Sequence, residues 1–420
     1  MSTDVVVIGA GLSGLTAAVR LAEEGRRTVL LAQGVGSTHL APACIDVLGY
    51  APDLVESPAK AVPALVAEHP EHPYARVAPE TLAASVAWLR ERADGLGYTG
   101  SLEENLLVPT AVGVPKPTAI VPEAMAAGDL RSGGRFVFVG LRALKNFYPA
   151  YLAENLSQVK LPSGATLEAR AVRLSDPGRE ADVGPLDYAR AFEDPVFRRA
   201  VTDELRLNLQ PGEIVGFPAV LGLDEHEAVL KELRDALERP VFEVSSLPPS
   251  VPGIRLFRTL RAAFRRVGGR LVIGPTATGA KSGDGRVEAL VVQSAAHRTT
   301  TYEAGSFVLA TGGFAAGAIL LDSFGEVRET VFGLPVSGVP PTDEPRFLPG
   351  YLDDHPMARA GLAVDGRLRP TDADGHPVYE NLYAVGAMLH GAEPWREQSG
   401  NGLALATGFA AAAQILEEAS

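Results

Sequence analysis

The 420-residue sequence predicts an α/β protein whose main domain is discontinuous in sequence and carries a second, inserted α/β domain. Three observations support this fold class. A glycine-rich strand–turn–helix pattern opens the chain, a complementary strand–helix pattern closes it, and strand–helix repeats lie between them. The length also exceeds the size at which a single hydrophobic core usually divides, so two domains are expected.

The first element is an apolar strand at residues 5–8, followed by Gly9-x-Gly11-x-x-Gly14 and an Ala- and Leu-rich helix. In this pattern the first glycine permits a tight turn, and the second lets the backbone approach a pyrophosphate. The third allows the helix to pack closely on the sheet. A bound phosphate would lie at the positive end of the helix dipole. The pattern predicts a Rossmann-like domain for a dinucleotide or a flavin.

The second strand, at residues 28–32, is predicted to lie parallel to the first. A dinucleotide fingerprint usually has Asp or Glu about 20 residues on, where the carboxylate binds a ribose hydroxyl. This chain has Gln33 there, whose amide can also hydrogen-bond a ribose. Because the intact glycine turn favours a pyrophosphate, FAD is the predicted cofactor, and FMN is the alternative.

The middle of the chain is predicted to form the inserted domain, at residues 55–246. The flavin-binding domain then comprises a first segment at residues 1–54 and the remaining segments at residues 247–420. Strand–helix pairs in the middle region favour a parallel sheet with helical crossovers, which we interpret as a substrate or cap domain. The polar, turn-rich stretch at residues 171–195 is predicted to be an exposed excursion.

The C-terminal region supplies the remaining predicted elements of the flavin site. The segment 306–314 is predicted to be a buried strand that ends at Gly312 and Gly313, and the segment 380–386 a buried strand that ends at Gly386. The GNG sequence at 400–402 then opens a long Ala-rich helix. The start of that helix can present amide donors and a positive dipole to the N1–O2 edge of a flavin. The predicted cofactor-binding residues are Gly9, Gly11, Leu12, Ser13, Gly14, Gln33, Thr311, Gly312, Gly386, Gly400, Asn401 and Gly402.

Composition restricts the possible partners. The net charge of −13 argues against a nucleic-acid-binding surface. No apolar run reaches the roughly 18 residues that a membrane span requires, so a cytoplasmic location is expected. The single cysteine, Cys44, excludes an internal disulfide and cannot supply the ligands of an iron–sulfur cluster, and no metal site is predicted. Another polypeptide would have to carry electrons to a distant acceptor.

Several segments carry a family resemblance: THLAPACIDVLGY (38–50), EHPY (71–74), LPPSVPGIRL (247–256) and NLYAVG (381–386). With the glycine fingerprint, they resemble the B-type subunit family of anaerobic glycerol-3-phosphate dehydrogenases. LPPSVPGIRL is the most specific segment, because no general flavin rule requires it. The resemblance implies a flavoprotein subunit that oxidises sn-glycerol 3-phosphate to dihydroxyacetone phosphate and reduces quinone. It also implies an FAD-bearing partner and an iron–sulfur membrane-anchor partner, which would place the chain peripherally on the cytoplasmic membrane.

Two alternative functions stay open. HPMARAGLAVDG (355–366) and NLYAVG also resemble the succinate dehydrogenase and fumarate reductase flavoproteins, which implies a fumarate reductase-like oxidoreductase. The other alternative is an electron-relay or assembly subunit without a substrate site of its own. Flavin reduced by glycerol 3-phosphate in the isolated chain would favour the enzyme, and flavin reduced only with partners present would favour the relay.

Oxidation of a secondary alcohol requires a hydride acceptor, a base for the hydroxyl proton and cations for the substrate phosphate. His39, His355 and His390 are the candidate bases, because imidazole titrates near neutral pH. For each of them, a solvent-facing or capping histidine is the alternative.

Arg255, Lys145 and Arg396 are the candidate substrate-binding cations, since a guanidinium can hold a phosphate with two donors. Arg255 lies at the predicted helix start within the specific segment, but other arginines share that helix, and such a run is usually a solvated face. For Arg396, a surface ion pair with Glu393 or Glu397 is the alternative.

Overall fold

The computed structural model describes residues 3–175 and 183–418. The described strands are β1 (Thr3–Ile8), β2 (Thr28–Ala32), β3 (Thr99–Gly100), β4 (Leu106–Pro109), β5 (Pro115–Thr118), β6 (Ile120–Val121), β7 (Gly134–Leu141), β8 (Leu167–Leu174), β9 (Glu213–Pro218), β10 (Val241–Val244), β11 (Arg270–Ile273), β12 (Thr276–Gly283), β13 (Arg286–Gln293), β14 (Thr299–Leu309), β15 (Ile319–Leu321), β16 (Val327–Glu329) and β17 (Leu382–Ala384). The described α-helices are α1 (Leu12–Glu23), α2 (Pro58–Glu68), α3 (Pro79–Arg92), α4 (Glu123–Ala126), α5 (Pro149–Leu156), α6 (Pro185–Phe192), α7 (Pro195–Arg206), α8 (His226–Leu237), α9 (Val251–Arg266), α10 (Pro394–Glu397) and α11 (Gly400–Glu418).

The larger sheet has seven strands in the order β11-β2-β1-β14-β13-β12, with β17 paired to β14. The strands β11, β2, β1, β14 and β17 are parallel, and β12–β14 form an antiparallel meander. Val6 stands at the centre, between Val29 on β2 and Phe307 on β14. The first and last parts of the chain therefore share one sheet, which confirms the predicted discontinuous Rossmann-like domain.

Helices α1, α9 and α11 pack together beside this sheet. Close approach of α1 and α11 depends on Gly408, where a Cβ atom would overlap the carbonyl oxygen of Ser13. Most of α11 is buried, because the small residues along this Ala-rich helix allow its neighbours to approach closely. Among the helices of the described chain, none is long and apolar enough to cross a membrane.

The smaller sheet has four parallel strands in the order β10-β9-β7-β8, and it has its own hydrophobic core. Helix α5 connects β7 to β8 and helix α8 connects β9 to β10, as expected for parallel strands with helical crossovers. Phe242 packs edge-on against Phe136 and Phe138 at the centre of this core. This second sheet fits the predicted α/β fold class, and the substrate or cap role of the insert stays a prediction.

The division of apolar side chains between the two hydrophobic cores suggests a different start for the insert. Apolar side chains of α2 and α3, such as Val62, Leu82 and Leu89, belong to the core of the larger sheet, whereas the second core begins at Leu107. We therefore propose that the insert starts near β4 rather than at residue 55. The pattern at residues 58–92 predicted helices, but the sequence alone could not show which sheet they cover.

Two local predictions differ from the structure. RFVFVG (135–140) followed by LRALKNFYPAYLAENL predicts a strand and then a helix, but residues 142–148 are not helical. The helix begins only at Pro149, because a proline disfavours helical backbone at the residue before it. The predicted excursion at 171–195 is wrong at both ends, where β8 and α6 are regular elements, and Tyr188 of α6 is fully buried. Its central part, residues 176–182, lies outside the described residues.

Candidate functional site

The glycine turn between β1 and α1 forms the centre of the site. Gly9 has φ +111°, a conformation that disfavours other residues, and a Cβ atom there would overlap the carbonyl oxygen of Ala310. A Cβ atom at Gly14 would overlap the carbonyl oxygen of Gly9. At Gly11, by contrast, a Cβ atom would meet nothing within 4 Å. Gly9 and Gly14 therefore let the chain pack, whereas Gly11 leaves open space beside the start of α1.

That open space belongs to a cavity of about 670 Å³, within the usual size range of ligand sites. The carboxyl ends of β1, β2 and β14 and the first residues of α1 and α11 line it. Further lining comes from residues 33–38, residues 275–278 at the start of β12, and residues 316–318 and 330–331. The cavity thus lies where ligands of open parallel sheets bind, outside the carboxyl ends of the strands.

None of the described side chains that line the cavity is Asp, Glu, Lys, Arg or His. The electrostatics of its wall are therefore set by backbone amides and helix dipoles. Both α1 and α11 begin at the cavity, and the first amides of a helix have no partner within the helix. Two positive helix ends can therefore bind a diphosphate and an electron-rich ring without any charged side chain.

Unpartnered polar atoms in the cavity wall test whether an FAD fits here. Thr38 and Thr311 are among the residues that line the cavity. Their Oγ1 atoms are buried and have no hydrogen-bond partner among the described residues. Buried hydroxyls are normally hydrogen-bonded, so these two mark places for ligand atoms. FAD, with its many ribityl, ribose and phosphate oxygens, has the groups that these hydroxyls need.

Three polar residues lie where β2 and β12 border the cavity. Gln33 directly follows β2, and Thr276 and Thr278 are in the first part of β12. In the fingerprint, the position after the second strand is the one that meets the ribose. Gln33 therefore occupies the position from which an amide would hydrogen-bond the adenosine ribose.

The loop after β2 is held in place by the start of α9, the most specific segment of the sequence. Ser250 caps α9, since its Oγ accepts a hydrogen bond from Gly253 N at 3.1 Å. The backbone N–H of Ser250 donates to the carbonyl of His39 at 2.8 Å. At Gly253 a Cβ atom would overlap the carbonyl oxygens of Thr38 and Ala41. The LPPSVPGIRL segment thus fixes the loop that carries Thr38.

Nine of the twelve predicted cofactor-binding residues line the cavity; the exceptions, Gly14, Gly386 and Gly402, do not. Gly386 packs on Ser13, whose Oγ would lie 2.7 Å from a Cβ atom. Gly402 packs on residues 46–47, and its N–H donates to the carbonyl of Asp46 at 2.9 Å. These three glycines allow close packing behind the cavity wall.

None of the three candidate bases lines the cavity. His390 Nδ1 is 2.8 Å from the carbonyl oxygen of Arg359. His355 accepts a hydrogen bond from Leu348 N at 3.1 Å, in a surface loop. Of the three, only His39 adjoins the cavity, because it directly follows the lining residue Thr38.

The His39 ring packs edge-on against Phe257 of α9. Burial, and to a lesser extent the nearby Arg258 and Arg261, lower the pKa of His39. Its Nε2 has no hydrogen-bond partner among the described residues. A neutral imidazole is able to accept a proton. The role of His39 as a base stays a prediction.

The candidate phosphate-binding cations are not brought together at the cavity. Arg255 is 4% exposed, and its guanidinium donates to both carboxylate oxygens of Glu243 and to the carbonyl of Gly222. We therefore propose a structural role for Arg255, tying α9 to β10 of the insert, in place of the phosphate role. The reason is geometric, since each of the three guanidinium nitrogens of Arg255 already donates to Glu243 or Gly222.

The other two candidate cations are also distant from the cavity lining. Arg396 donates to the carbonyls of Leu352 and Asp353 and is 3.2 Å from Glu393, which is the predicted alternative ion pair. Lys145 is an exposed residue in the turn after β7, on the insert. The structure thus gives neither residue a contact with the cavity.

A buried polar network supports the start of α11. His72 is 1% exposed, and its Nε2 is 3.3 Å from a carboxylate oxygen of Glu397. The same carboxylate accepts a hydrogen bond from Ser399 Oγ at 2.7 Å. Burial raises the pKa of Glu397, but these hydrogen bonds and the charge of His72 outweigh it and hold the pKa below its usual value. EHPY, one of the family-like segments, therefore has a structural role in positioning the GNG turn.

The sequence interpretation missed Thr38, Thr276 and the stretch around Thr330, all of which line the cavity. Thr38 lies in a segment that carries the family resemblance, and a hydroxyl following a glycine-rich turn was an available signal. Thr276 and Thr330 had no local signal, because neither lies in a recognisable motif.

Comparison with known proteins agrees with this geometry. Residues 4–403 match the family described as FAD binding domain. The chain is 32% identical to the B-type subunit of anaerobic glycerol-3-phosphate dehydrogenase from Pectobacterium carotovorum subsp. carotovorum, over 100% of this chain and 99% of that protein. It is 33% identical to the probable B-type subunit of the same enzyme from Halobacterium salinarum, over 99% and 98% of the two chains.

Among solved structures, 3-ketosteroid Δ1-dehydrogenase from Sterolibacterium denitrificans aligns with 99% of this chain and 100% of its own, at 11% identity and a TM-score of 0.46. That structural likeness is too weak to bear on function.

Proposed function

Because the chain belongs to the FAD binding domain family and to the B-type subunit family of anaerobic glycerol-3-phosphate dehydrogenases, we propose that it oxidises sn-glycerol 3-phosphate to dihydroxyacetone phosphate. The electrons pass to quinone through partner subunits. Membership of the two families confirms the sequence-based resemblance. The FAD binding domain family supports FAD as the cofactor. The chain is thus an FAD-dependent oxidoreductase, and the substrate, the acceptor and the partners are the proposed part.

One observation carries the proposal: the identity to these dehydrogenase subunits extends over the whole chain and is not confined to the glycine fingerprint. A dinucleotide fold by itself serves many reactions, so a match limited to that fold would support no substrate. The match includes the insert, which is the part of the chain that general FAD binding does not require.

When bound, FAD supplies the hydride acceptor that oxidation of a secondary alcohol needs. The contributions of the chain are positioning and electrostatics. Backbone amides at Gly11 and Leu12 would hold the diphosphate, and Gln33 would hold the ribose. Gly400 and Asn401 at the start of α11 would supply a positive helix end that stabilises negative charge on a reduced flavin.

The proposed partners follow from what the chain lacks for long-range electron transfer. Its single cysteine, Cys44, is fully buried with Sγ 3.6 Å from Met125 Sδ, so it is not available as a cluster ligand. We assign the iron–sulfur centres and the membrane anchor to separate subunits, beside a further FAD-bearing subunit. The chain would then lie peripherally at the cytoplasmic face of the membrane.

A second candidate function is electron relay without substrate binding. The observation in its favour is the cavity wall, which has no ionisable side chain among its described lining residues. Arg255, the strongest sequence candidate for a phosphate contact, is also held by Glu243. In this alternative a partner subunit oxidises the substrate, and the FAD of this chain only passes electrons on.

Anaerobic mixing of the FAD-loaded chain with glycerol 3-phosphate separates the two functions. The proposal predicts rapid bleaching of the oxidised flavin absorbance by the chain alone, with dihydroxyacetone phosphate formed in equal amount. Bleaching by dithionite but not by glycerol 3-phosphate, until the partner subunits are added, would contradict substrate oxidation by this chain and support the relay.

A further inference from the structure

An exposed aromatic patch joins the segment 324–352 to helix α10. The aromatic patch consists of Phe324, Phe347, Tyr351, Leu352 and Trp395, all of which are exposed. Of the seven exposed aromatic side chains in the described part of the chain, four belong to this patch. Single exposed apolar residues are normal, whereas a group of them on one surface indicates an interaction site. Aromatic residues are also the ones that protein interfaces concentrate near their centres.

Direct contacts hold one half of the aromatic patch together. The ring of Tyr351 lies 6.1 Å from the ring of Trp395. The guanidinium of Arg396 donates to the carbonyl of Leu352 at 2.8 Å and lies 5.1 Å from the Trp395 ring. The loop that carries Tyr351 and Leu352 is therefore fixed against α10.

The other half, Phe347 and Phe324, is tied to the same loop. The Phe347 ring lies 5.9 Å from the ring of His355, whose Nε2 is 3.2 Å from the carbonyl oxygen of Tyr351. Arg346, next to Phe347 in sequence, donates to the carbonyl of the residue that follows Phe324. The five residues thus form one connected surface rather than scattered exposed side chains.

The rim of the aromatic patch is acidic. Five exposed carboxylates of this region form no ion pair among the described residues: Asp322, Glu326, Asp343, Glu344 and Asp353. The arginines Arg359 and Arg396 lie in ion pairs of their own. Arg328 and Arg346 are the other basic residues of the segment 320–359. Five unpaired carboxylates outnumber these two arginines, so the rim carries a net negative charge.

This charge restricts what can cover the aromatic patch. Membrane surfaces and nucleic acids are themselves negative and would be repelled. A two-fold contact between copies of this chain would use the same surface on both copies, which brings two acidic rims together. The aromatic patch therefore fits a different protein, one with an apolar surface bordered by Lys and Arg.

The aromatic patch is also connected to the wall of the FAD cavity. Residues 316–318 line the cavity just before β15, and residues 330–331 line it just after β16. The two strands form an antiparallel hairpin, and Phe324 lies in its turn. The chain from Ala318 to Phe324 can span at most about 20 Å. A protein that covers the patch is therefore close to the FAD, where an electron acceptor has to bind.

We propose that the aromatic patch is the docking surface for the electron-accepting iron–sulfur subunit. The inference rests on the proposed function, which assigns the iron–sulfur centres to a separate subunit. Phe324 and Tyr351 are 93% and 83% exposed, and they are the aromatic anchors of the contact. The acidic rim meets Lys and Arg side chains of the partner, which directs its approach.

The test measures binding of the iron–sulfur subunit of the same assembly, purified in detergent, to the FAD-loaded chain. The patch variant is Phe324→Ser/Tyr351→Ser. The matched control, Tyr148→Ser/Tyr151→Ser, removes two exposed aromatic side chains from the insert, outside the patch. Because all four side chains are mostly exposed, both variants should fold, and FAD content and Tm check this.

For the patch variant we expect wild-type FAD content, Tm and reduction by dithionite. Its Kd for the iron–sulfur subunit should rise by at least about 30-fold, the effect of losing one interface hot spot. The control should keep the wild-type Kd. Wild-type affinity in the patch variant, or no binding by the wild type, would overturn the docking site. Loss of self-association, or of binding to the further FAD-bearing subunit alone, would assign the patch to another occupant and overturn it too.

A second variant, Asp343→Lys/Glu344→Lys, tests the charge of the rim without changing the aromatic anchors. Its association rate constant with the iron–sulfur subunit should fall by about tenfold or more at low salt, and the difference should shrink as salt is added. An unchanged or faster association would contradict a basic partner surface.

Reduction of the isolated chain by glycerol 3-phosphate separates the two possible failures. If glycerol 3-phosphate does not reduce the wild type but the patch variant still loses the iron–sulfur subunit, substrate oxidation by this chain is wrong and the docking site stands. If glycerol 3-phosphate reduces the wild type and the patch variant binds the subunit normally, the docking site is wrong and the proposed function stands.

Discussion

Substitution of Gly11 by leucine should abolish FAD binding without unfolding the chain. Gly11 has φ −72° and ψ −177°, a conformation open to any residue, and a Cβ atom there would meet nothing within 4 Å. Because Gly11 lines the cavity, the added side chain would occupy the space that the diphosphate needs. The structure thus separates binding from folding at this position.

The magnitude follows from the hydrogen bonds that the first turn of α1 would lose. A charge-assisted hydrogen bond is worth about 1.5–3 kcal/mol, so losing two of them weakens binding by about 3–6 kcal/mol, or roughly 10²- to 10⁴-fold in Kd. The stability of the apoprotein should change by only about 0.5 kcal/mol, as for an unstrained surface substitution. At Gly14, where alanine would overlap the carbonyl of Gly9, overpacking should cost about 1–3 kcal/mol of stability.

The assay pairs FAD titration, followed by flavin fluorescence, with thermal unfolding of the apoproteins. Gly366→Leu is the matched control, since a Cβ atom there also meets open space and Gly366 does not line the FAD cavity. Wild-type FAD affinity in Gly11→Leu would refute the assignment of the diphosphate to this turn. A fall in apoprotein Tm as large as that of Gly14→Ala would refute the separation of binding from folding.

Three further predictions concern buried polar groups. Arg255→Met leaves Glu243 buried without its partner and should lower the free energy of unfolding, measured with urea, by about 3–5 kcal/mol. Unchanged stability together with weaker glycerol 3-phosphate binding would restore the phosphate role of Arg255. Thr311→Val removes a hydroxyl that has no partner among the described residues and should weaken FAD binding by about 0.5–1.5 kcal/mol, with apoprotein Tm unchanged and affinity retained in Thr311→Ser. The pKa of Glu397 is lowered in the folded chain, so its contribution to stability is present above its ordinary pKa of 4.5 and is lost as the pH falls through the lower folded value. Glu397→Gln should therefore flatten the acid side of the plot of Tm against pH, and an unchanged acid slope would count against the hydrogen bond with His72.

Local rules explain why the glycine turn and the start of α11 could be predicted. The roles of Gly9, Gly11 and Gly14 depend on a strand–turn–helix pattern that lies within a few residues of sequence. The final helix likewise follows a glycine-punctuated turn. The conformation of these elements is determined almost entirely by residues that are close together in sequence.

The side chains assigned to substrate binding could not be predicted in the same way. Arg255 was selected because it begins a helix in a specific segment, but its partner Glu243 lies on β10, an edge strand of the other sheet. Only the packing of α9 against the insert brings them together. Similarly, Lys116 forms an ion pair with Asp46, although the two residues are far apart in sequence and no local pattern predicts their contact.

Apolar periodicity also could not assign α2 and α3 to a core. Leu82 and Leu89 on α3 have helical spacing, which predicts a buried face but not the surface that covers it. In the structure they join the core of the larger sheet, which is why we propose a later start for the insert than residue 55.

The most direct test of the central claim is the identity and amount of the cofactor that heat releases from the purified chain. We expect the mass of FAD, in an amount equimolar with the protein, and no flavin from Gly11→Leu. Release of FMN, or a folded wild-type chain that neither retains nor takes up FAD, would contradict it.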